Sequence, residues 1–266
     1  MLLPDGKATI SRVEVVIFDA MYTVIEPKIP RFFHVLNIFE DVLGIRVQPR
    51  LLAQYLRESE KMAEEMLSGA ADYQREWIER NRYIASRLLN CAIDGIDPKR
   101  GLEIHLRVIS HEYLYEVKPA MRNFLTLLTK LANPPKLVLA SNQYDDFLIA
   151  MMKEMQLHDF FGPRVFTSDG LVMSKPNPEF FARIIGKLGY QPEQALVVGN
   201  SAKRDLPPAK ACGIPICLYD RRGKLELPPE PNVFVARTIA EMQNWLLSRL
   251  ISGWAQEEAP SSSLLV

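Results

Sequence analysis

Cysteine is scarce in this chain: among 266 residues there are three, Cys91, Cys212 and Cys217, an odd number without CxxC spacing. That excludes a disulfide framework and a cysteine zinc cluster, and it fits a reducing cytosol. Cys91 and Cys212 read as small apolar fillers. Histidine is nearly as sparse. His34, His105, His111 and His158 share no metal-like spacing, and His105 and His111 fall on different helix faces, so all four read as structural or exposed. Net charge is lacking too, with 32 basic residues against 32 acidic ones and no dense basic block. Attraction to nucleic acid or to an anionic membrane then has little to draw on. No apolar run approaches the length needed to cross a bilayer, and the opening MLLPDGKATISR meets Pro and Asp early. There is no internal repeat and no low-complexity domain. The expectation is a cytoplasmic globular protein with a small-molecule partner; composition carries no signal of oligomeric state.

What is present is an ordinary globular balance, 48% apolar and 24% charged, at a length that suits a large core with an inserted module. In VEVVIFDA, an apolar β-branched run from Val13 to Phe18 reads as a strand buried on both faces and ends at Asp19. Similar runs are Leu137 to Ala140, Ala195 to Val198 and Pro215 to Leu218, with a weaker one at Val233 to Val235. Helical stretches separate them. This alternation predicts an α/β fold, a doubly wound, mostly parallel Rossmann-like sheet with right-handed crossovers. Ligands bind such a sheet at the carboxyl ends of its strands.

Between Glu26 and Val117 there is no strand-like run, and helical periodicity takes over. Phe32, Val35, Leu36, Phe39 and Leu43 form one stripe, and Leu52, Tyr55, Leu56 and Met66 a second. Trp77, Ile84 and Leu88 form a third, and Leu102, Leu106, Ile109 and Tyr113 a fourth, with charged residues between them. Pro27 and Pro30 mark the entry to this module and Pro119 the return. The expected division is a core at 1–26 and 118–252, an inserted helical domain at 27–117, and a frayed polar tail at 253–266.

Polar residues recur at the strand ends or in the loops that follow them: Asp19 with Thr23, Ser141 with Asn142, Lys175, and Asn200 with Asp205. Taken singly, several have a plain structural reading. Asp19 in isolation reads as a turn cap, while Ser141 and Asp205 suit the N-caps of helices starting near Asp145 and Leu206. Together, the segments VVIFDAMYT, LVLASN, SKPNPEFF and VVGNSAKRD resemble the four motifs of the haloacid dehalogenase superfamily, over about Val13 to Arg222. The resemblance implies a Rossmann-like core with a helical cap inserted between the first and second motifs. It implies a small-molecule phosphatase in which Asp19 is the nucleophile, forms an aspartyl-phosphate, and is then freed by water. Lys175 is implied as the charge clamp and as a phosphate ligand, alongside Thr23, Ser141 and the backbone N–H of Asn142. A Mg²⁺ ion is implied on Asp19, the backbone carbonyl of Met21, Asn200 and Asp205. The substrate implied is small and phosphorylated or otherwise anionic.

Three positions depart from the pattern. Met21 stands where the phosphatases of the superfamily carry a second aspartate that protonates the leaving group. A thioether transfers no proton, and general acid–base catalysis contributes on the order of 10²–10⁴ in rate. Asn200 replaces a metal-supporting aspartate, which weakens the Mg²⁺ site. Tyr22 stands where glycine is usual. Two further readings stay open beside the phosphatase: a catalytically impaired binding protein, and a 2-haloacid dehalogenase-type hydrolase. The dehalogenases also lack the second aspartate, but they usually have tyrosine at the position of Met21 and a Ser-x-Asn pattern that Asn200-Ser201-Ala202 does not show. Arg221 and Arg222 resemble a segment that often carries an Asn-Arg pair near the site, yet by themselves they read as solvated loop residues.

Overall fold

The computed structural model describes residues 12–28, 31–66, 73–109 and 115–252. The expected tail at 253–266, together with His111 and Tyr113, lies outside them.

One parallel sheet is built from β1 (Val15–Asp19), β4 (Lys136–Ser141), β5 (Val165–Thr167), β6 (Ala195–Gly199), β7 (Ile216–Tyr219) and β8 (Val233–Ala236). The order of its six strands is β5-β4-β1-β6-β7-β8. β1 is buried at every position, which is why its sequence is continuously apolar rather than alternating. Its side chains still alternate in direction. Val16 and Phe18 enter one layer, where Phe18 meets Phe124 and Phe161 edge-on at 6.3 and 6.2 Å. Val15 and Ile17 enter the other, against Phe180, Phe181 and Ile184. The first layer is supplied by α5 (Pro119–Thr129), α6 (Asp145–Glu154), α7 (His158–Phe161) and α11 (Ile239–Ser252). The second comes from α8 (Ser168–Leu171), α9 (Phe180–Leu188) and α10 (Leu206–Ala211). Both faces of the sheet are therefore covered, as a parallel sheet requires.

β1 pairs with β4 on one side and β6 on the other, with Asp19 beside Ala140 and Phe18 beside Val198. The chain order reverses there, and the loops beyond β1, β4 and β6 diverge to leave a crevice at their carboxyl ends. The short strand β5 was not expected. It is a three-residue edge strand with two half-buried positions, too short for either periodicity to register.

Between the first and second strands of the sheet, α1 (Arg31–Leu43), α2 (Pro49–Met66), α3 (Tyr73–Leu88) and α4 (Pro98–Ile109) pack around their own cluster, which includes Phe39, Leu52, Ile84 and Ile104. A two-stranded antiparallel ribbon, β2 (Glu26–Pro27) and β3 (Tyr115–Glu116), joins them to the sheet. The reading of this stretch as free of strands is corrected at its two ends, where a two-residue ladder is too short to show alternation. The phase of the fourth stripe is corrected as well. Helix α4 turns Ile104 and Val108 inward and leaves Leu106 45% exposed. The cause is Gly101: a Cβ there would stand 2.6 Å from the Ile78 carbonyl oxygen, so α3 and α4 approach backbone to backbone along that face. Asn81 seals the contact by donating to the Gly101 carbonyl at 3.3 Å.

Cys91 is exposed, in the turn after α3, and is no core filler; Cys217, inside β7, is the buried thiol.

Candidate active site

Asp19 is the last residue of β1, so strand pairing fixes its backbone while its side chain reaches the crevice. The chain then doubles back at once, with the Val24 and Ile25 N–H groups donating to the Ala20 carbonyl at 3.0 and 2.9 Å. Tyr22 in this turn has φ 65°, the left-handed region that glycine enters freely and other residues enter at some cost. The tight turn places Thr23 behind the carboxylate, where its hydroxyl donates to Asp19 Oδ2 at 3.1 Å. Thr23 is 1% exposed and is not in the cavity wall, so its hydroxyl orients Asp19 rather than facing a ligand.

Lys175 precedes α9 and arrives from the far side of the crevice. Asn142, just beyond β4, holds its backbone from both sides. The Lys175 N–H donates to Asn142 Oδ1 at 2.9 Å, and Asn142 Nδ2 donates to the Lys175 carbonyl at 2.8 Å. With its main chain fixed, the Lys175 ammonium donates to Asp19 Oδ1 at 2.5 Å and to Asp205 Oδ1 at 2.7 Å. The Lys175, Asp19 and Asp205 side chains are 2%, 9% and 1% exposed, so these bonds are made almost entirely out of water. Removing either kind of partner would strand a buried charge, at a cost of about 3–5 kcal/mol.

Asp205 stands at the N-cap position of α10, but its side chain makes no cap bond. It turns back instead, and Oδ2 accepts the N–H groups of Asn200 at 3.0 Å and Ser201 at 2.9 Å. This needs Gly199, because a Cβ there would lie 2.6 Å from the Asp205 carboxylate. Ser141 likewise does not cap α6, whose N-cap is Tyr144. Its Oγ accepts the Gln143 N–H at 3.2 Å and tightens the turn that carries Asn142. Asn200 Nδ2 donates to the Met21 carbonyl at 3.3 Å, which brings two of the expected metal ligands side by side.

Burial raises the Asp19 carboxyl most; Lys175 pulls it down and Asp205 pushes it up again, and the result is about 6. Burial works against the Lys175 ammonium, yet Asp19 and Asp205 together outweigh it and hold the group above its usual range. Two carboxylates against one ammonium leave the centre with an excess of negative charge whenever both acids are ionised. An anionic group can approach Asp19 only if more positive charge is supplied.

Asp19, Met21, Ser141, Asn142, Lys175, Asn200 and Asp205 all line one cavity of about 510 Å³. Most of the rest of its wall was not expected from the sequence; Arg222 lies in the segment whose resemblance points near the site, although by itself it reads as a solvated loop residue. Lys203, Arg204 and Arg222 bring cations from the sheet loops, Gln143 brings a buried amide oxygen, and Glu60 and Trp77 come from the helices. Lys203 and Arg204 sit inside the segment VVGNSAKRD, so their place was available to reading; Glu60 and Trp77 carry no local signal. The helices also touch the sheet domain through His105, which lies 3.0 Å from the Tyr144 hydroxyl and stacks on Trp77.

Comparison with known proteins agrees with this architecture. The sequence pattern of the haloacid dehalogenase-like hydrolases matches residues 13–213. The chain belongs to this family. Among curated proteins, phosphoglycolate phosphatase 1 of Pseudomonas aeruginosa is 29% identical over 147 residues, 53% of each chain. A phospholysine phosphohistidine inorganic pyrophosphate phosphatase of Xenopus laevis is 40% identical over 53 residues, 20% of this chain and 19% of that one. The chain spans at most about half the length of these two curated relatives. Among solved structures, the HAD-hydrolase YfnB of Bacillus subtilis, bound to magnesium, superposes with a TM-score of 0.72 at 16% identity, covering 89% of this chain and 99% of that one. A 2-haloacid dehalogenase of Pseudomonas syringae gives 0.60 at 16%, covering 89% and 99%. At such identities the likeness concerns the fold alone. That fold is a haloacid dehalogenase-like core, a six-stranded parallel sheet flanked by helices. Among the described residues, no helix is long and apolar enough to cross a membrane.

Proposed function

We propose that this haloacid dehalogenase-like hydrolase is a phosphatase for small phosphate monoesters, acting through an aspartyl-phosphate on Asp19. The observation that carries the reading is the ammonium of Lys175, held within 2.7 Å of both Asp19 and Asp205 beneath a cavity lined by further cations. Curated phosphatases among the matched relatives support it at family level. In this reading a carboxylate oxygen of Asp19 attacks phosphorus, the ester oxygen departs with the bonding electron pair, and water later cleaves the acyl phosphate. Ser141 and the backbone N–H of Asn142 receive the phosphoryl oxygens. Lys175 orients the nucleophile and balances charge, while Thr23 and Asp205 hold Asp19 and Lys175 in place.

The donor set fits a hard divalent cation in kind, since oxygen is offered by Asp19, the Met21 carbonyl and the Asn200 side-chain amide. Asp205 stands behind them. A Mg²⁺ ion there supplies the positive charge that the centre lacks. We further assign residues 27–117 as a cap over the site, with the core at 1–26 and 118–252, because the helices have their own hydrophobic cluster and contribute Glu60 and Trp77 to the cavity.

A second reading, a ligand-binding member with little turnover, is favoured by Met21, whose half-buried thioether packs on the core where a proton donor is needed. Phosphate release from a panel of small esters, compared between the wild type and Asp19→Asn, separates the two. The phosphatase releases phosphate, stops in chelator, and loses at least about 10³ in rate with the variant. Equal rates for the two proteins remove the enzymatic reading, and halide release from haloacids without metal replaces it with dehalogenation.

A further inference from the structure

A second cavity, of about 360 Å³, adjoins the first, and Tyr22, Asn200 and Arg222 belong to the walls of both. Its own wall is basic. It follows β7 along the loop that carries Arg221, Arg222 and Lys224, between the rings of Tyr22 and Tyr219. The charges in this loop are not equivalent. Asp220 accepts the Leu225 N–H at 2.8 Å; burial pushes its carboxyl up, but backbone N–H groups of its own loop outweigh that and hold it below the usual range, so it organises the turn. Arg221 is bonded to the buried carboxylate of Glu26 in the ribbon. Among the described residues, the side chains of Arg222 and Lys224 make no ion pair, and both line the chamber.

From this geometry we infer that the chamber binds a second anionic group of the substrate, so that the preferred ligand is a phosphate ester whose leaving portion ends in a carboxylate or a further phosphate. The inference rests on the phosphatase reading only for the place of the reacting phosphoryl group. A ligand that spans the shared wall presents one anionic end to Lys175 and the other to Arg222 and Lys224. Aromatic sides suit the short carbon skeleton between them. The selecting charge is then carried by a loop of the sheet domain, next to the reacting centre, and not by the helices above it.

Calorimetric titration of the full-length Asp19→Asn protein tests this with matched pairs. Glycerol 3-phosphate is compared with 3-phosphoglycerate, and fructose 6-phosphate with fructose 1,6-bisphosphate. The member with the second anion is expected to bind about tenfold or more tightly in at least one pair, as a charge-assisted contact provides. The pair that responds identifies carboxylate or phosphate as the group. Arg222→Ala should bring that ratio towards one, Arg222→Lys should restore part of it, and Lys224→Ala should lower it independently. If Arg222→Ala melts well below the parent protein, Lys224→Ala and Arg222→Lys decide. Equal affinities within both pairs, or a preference that survives Arg222→Ala with Lys224→Ala, overturn the inference. Phosphate release by the wild-type chain is followed separately. Its absence ends the phosphatase reading and leaves the binding ratios to judge the chamber.

Discussion

Asp19 is the residue on which acid–base behaviour and chemistry meet. Its carboxyl titrates at about 6 in the folded protein against an ordinary value of 3.8, because burial outweighs the help of Lys175. The folded chain therefore binds this proton more tightly than the unfolded one. Asp19 contributes stability that is fully present below about pH 4 and is lost as the pH rises through about 6. Replacing it by Asn removes that dependence. The melting temperature of Asp19→Asn minus that of the wild type should thus rise from about pH 4 to pH 7 by several degrees, at about 2–4 °C per kcal/mol for a protein of this size. A flat or falling difference would mean that Asp19 is not buried beside Asp205. Met21 is the second decisive residue. Without a proton donor the leaving group must depart as an anion, so rates should fall steeply as the leaving alcohol becomes more basic. Met21→Asp should raise turnover of alkyl phosphates by about 10²-fold or more while changing aryl phosphates less. No gain on either would point to the binding-only reading. Asp19, Lys175 and Asp205 were legible in the sequence because each sits in a short segment at a strand end or in a following loop that resembles a motif of the haloacid dehalogenase superfamily. The present functions of Asn142 and Thr23 were not, since each spends its side chain on a neighbour that only the folded chain supplies.

Among the elements, strands proved easier to read than helix faces. β1, β4, β6 and β7 are each buried on both sides or nearly so, and an uninterrupted apolar run is a strong signal. Helix α4 misled because apolar residues lie on more than one of its faces, Leu102 and Leu106 on one and Ile104 and Val108 on another, and the contact that selects between them depends on an absent side chain at Gly101. This has a measurable consequence. In an open helix, Gly to Ala gains about 1 kcal/mol in propensity. At Gly101 the new methyl would lie 2.6 Å from the Ile78 carbonyl oxygen and 2.8 Å from Arg82 Cγ, and forcing backbone apart costs about 1–3 kcal/mol. The clash should win. Gly101→Ala is expected to lower the urea midpoint, with loss of amide protection concentrated in α3 and α4. A stabilised variant would show that the two helices leave room for a methyl group between them.

At the level of the whole molecule, overall charge balance conceals a local imbalance, because the 32 acidic and 32 basic residues leave the buried centre short of positive charge. A bound cation should correct this and stabilise the entire fold by mass action, as RT ln(1 + [L]/Kd). Wild-type affinity is expected to be weak. Asn200 contributes no charge, and its amide nitrogen rather than its oxygen meets the Met21 carbonyl. Asp205 is already engaged through both oxygens by Lys175 and two backbone N–H groups. Asn200→Asp adds a carboxylate at a ligand position whose present contact, with the Met21 carbonyl, must be remade for a cation to bind. It should tighten Mg²⁺ binding by about tenfold or more, equivalent to about 1.4 kcal/mol. Without metal the same change should lower stability, because it adds a third acid near one ammonium. The melting temperature measured in chelator and in millimolar Mg²⁺ separates these effects: Asn200→Asp should start below the wild type and gain more from the ion. Equal gains for the two proteins would place the cation away from Asn200, and with it the source of the missing charge.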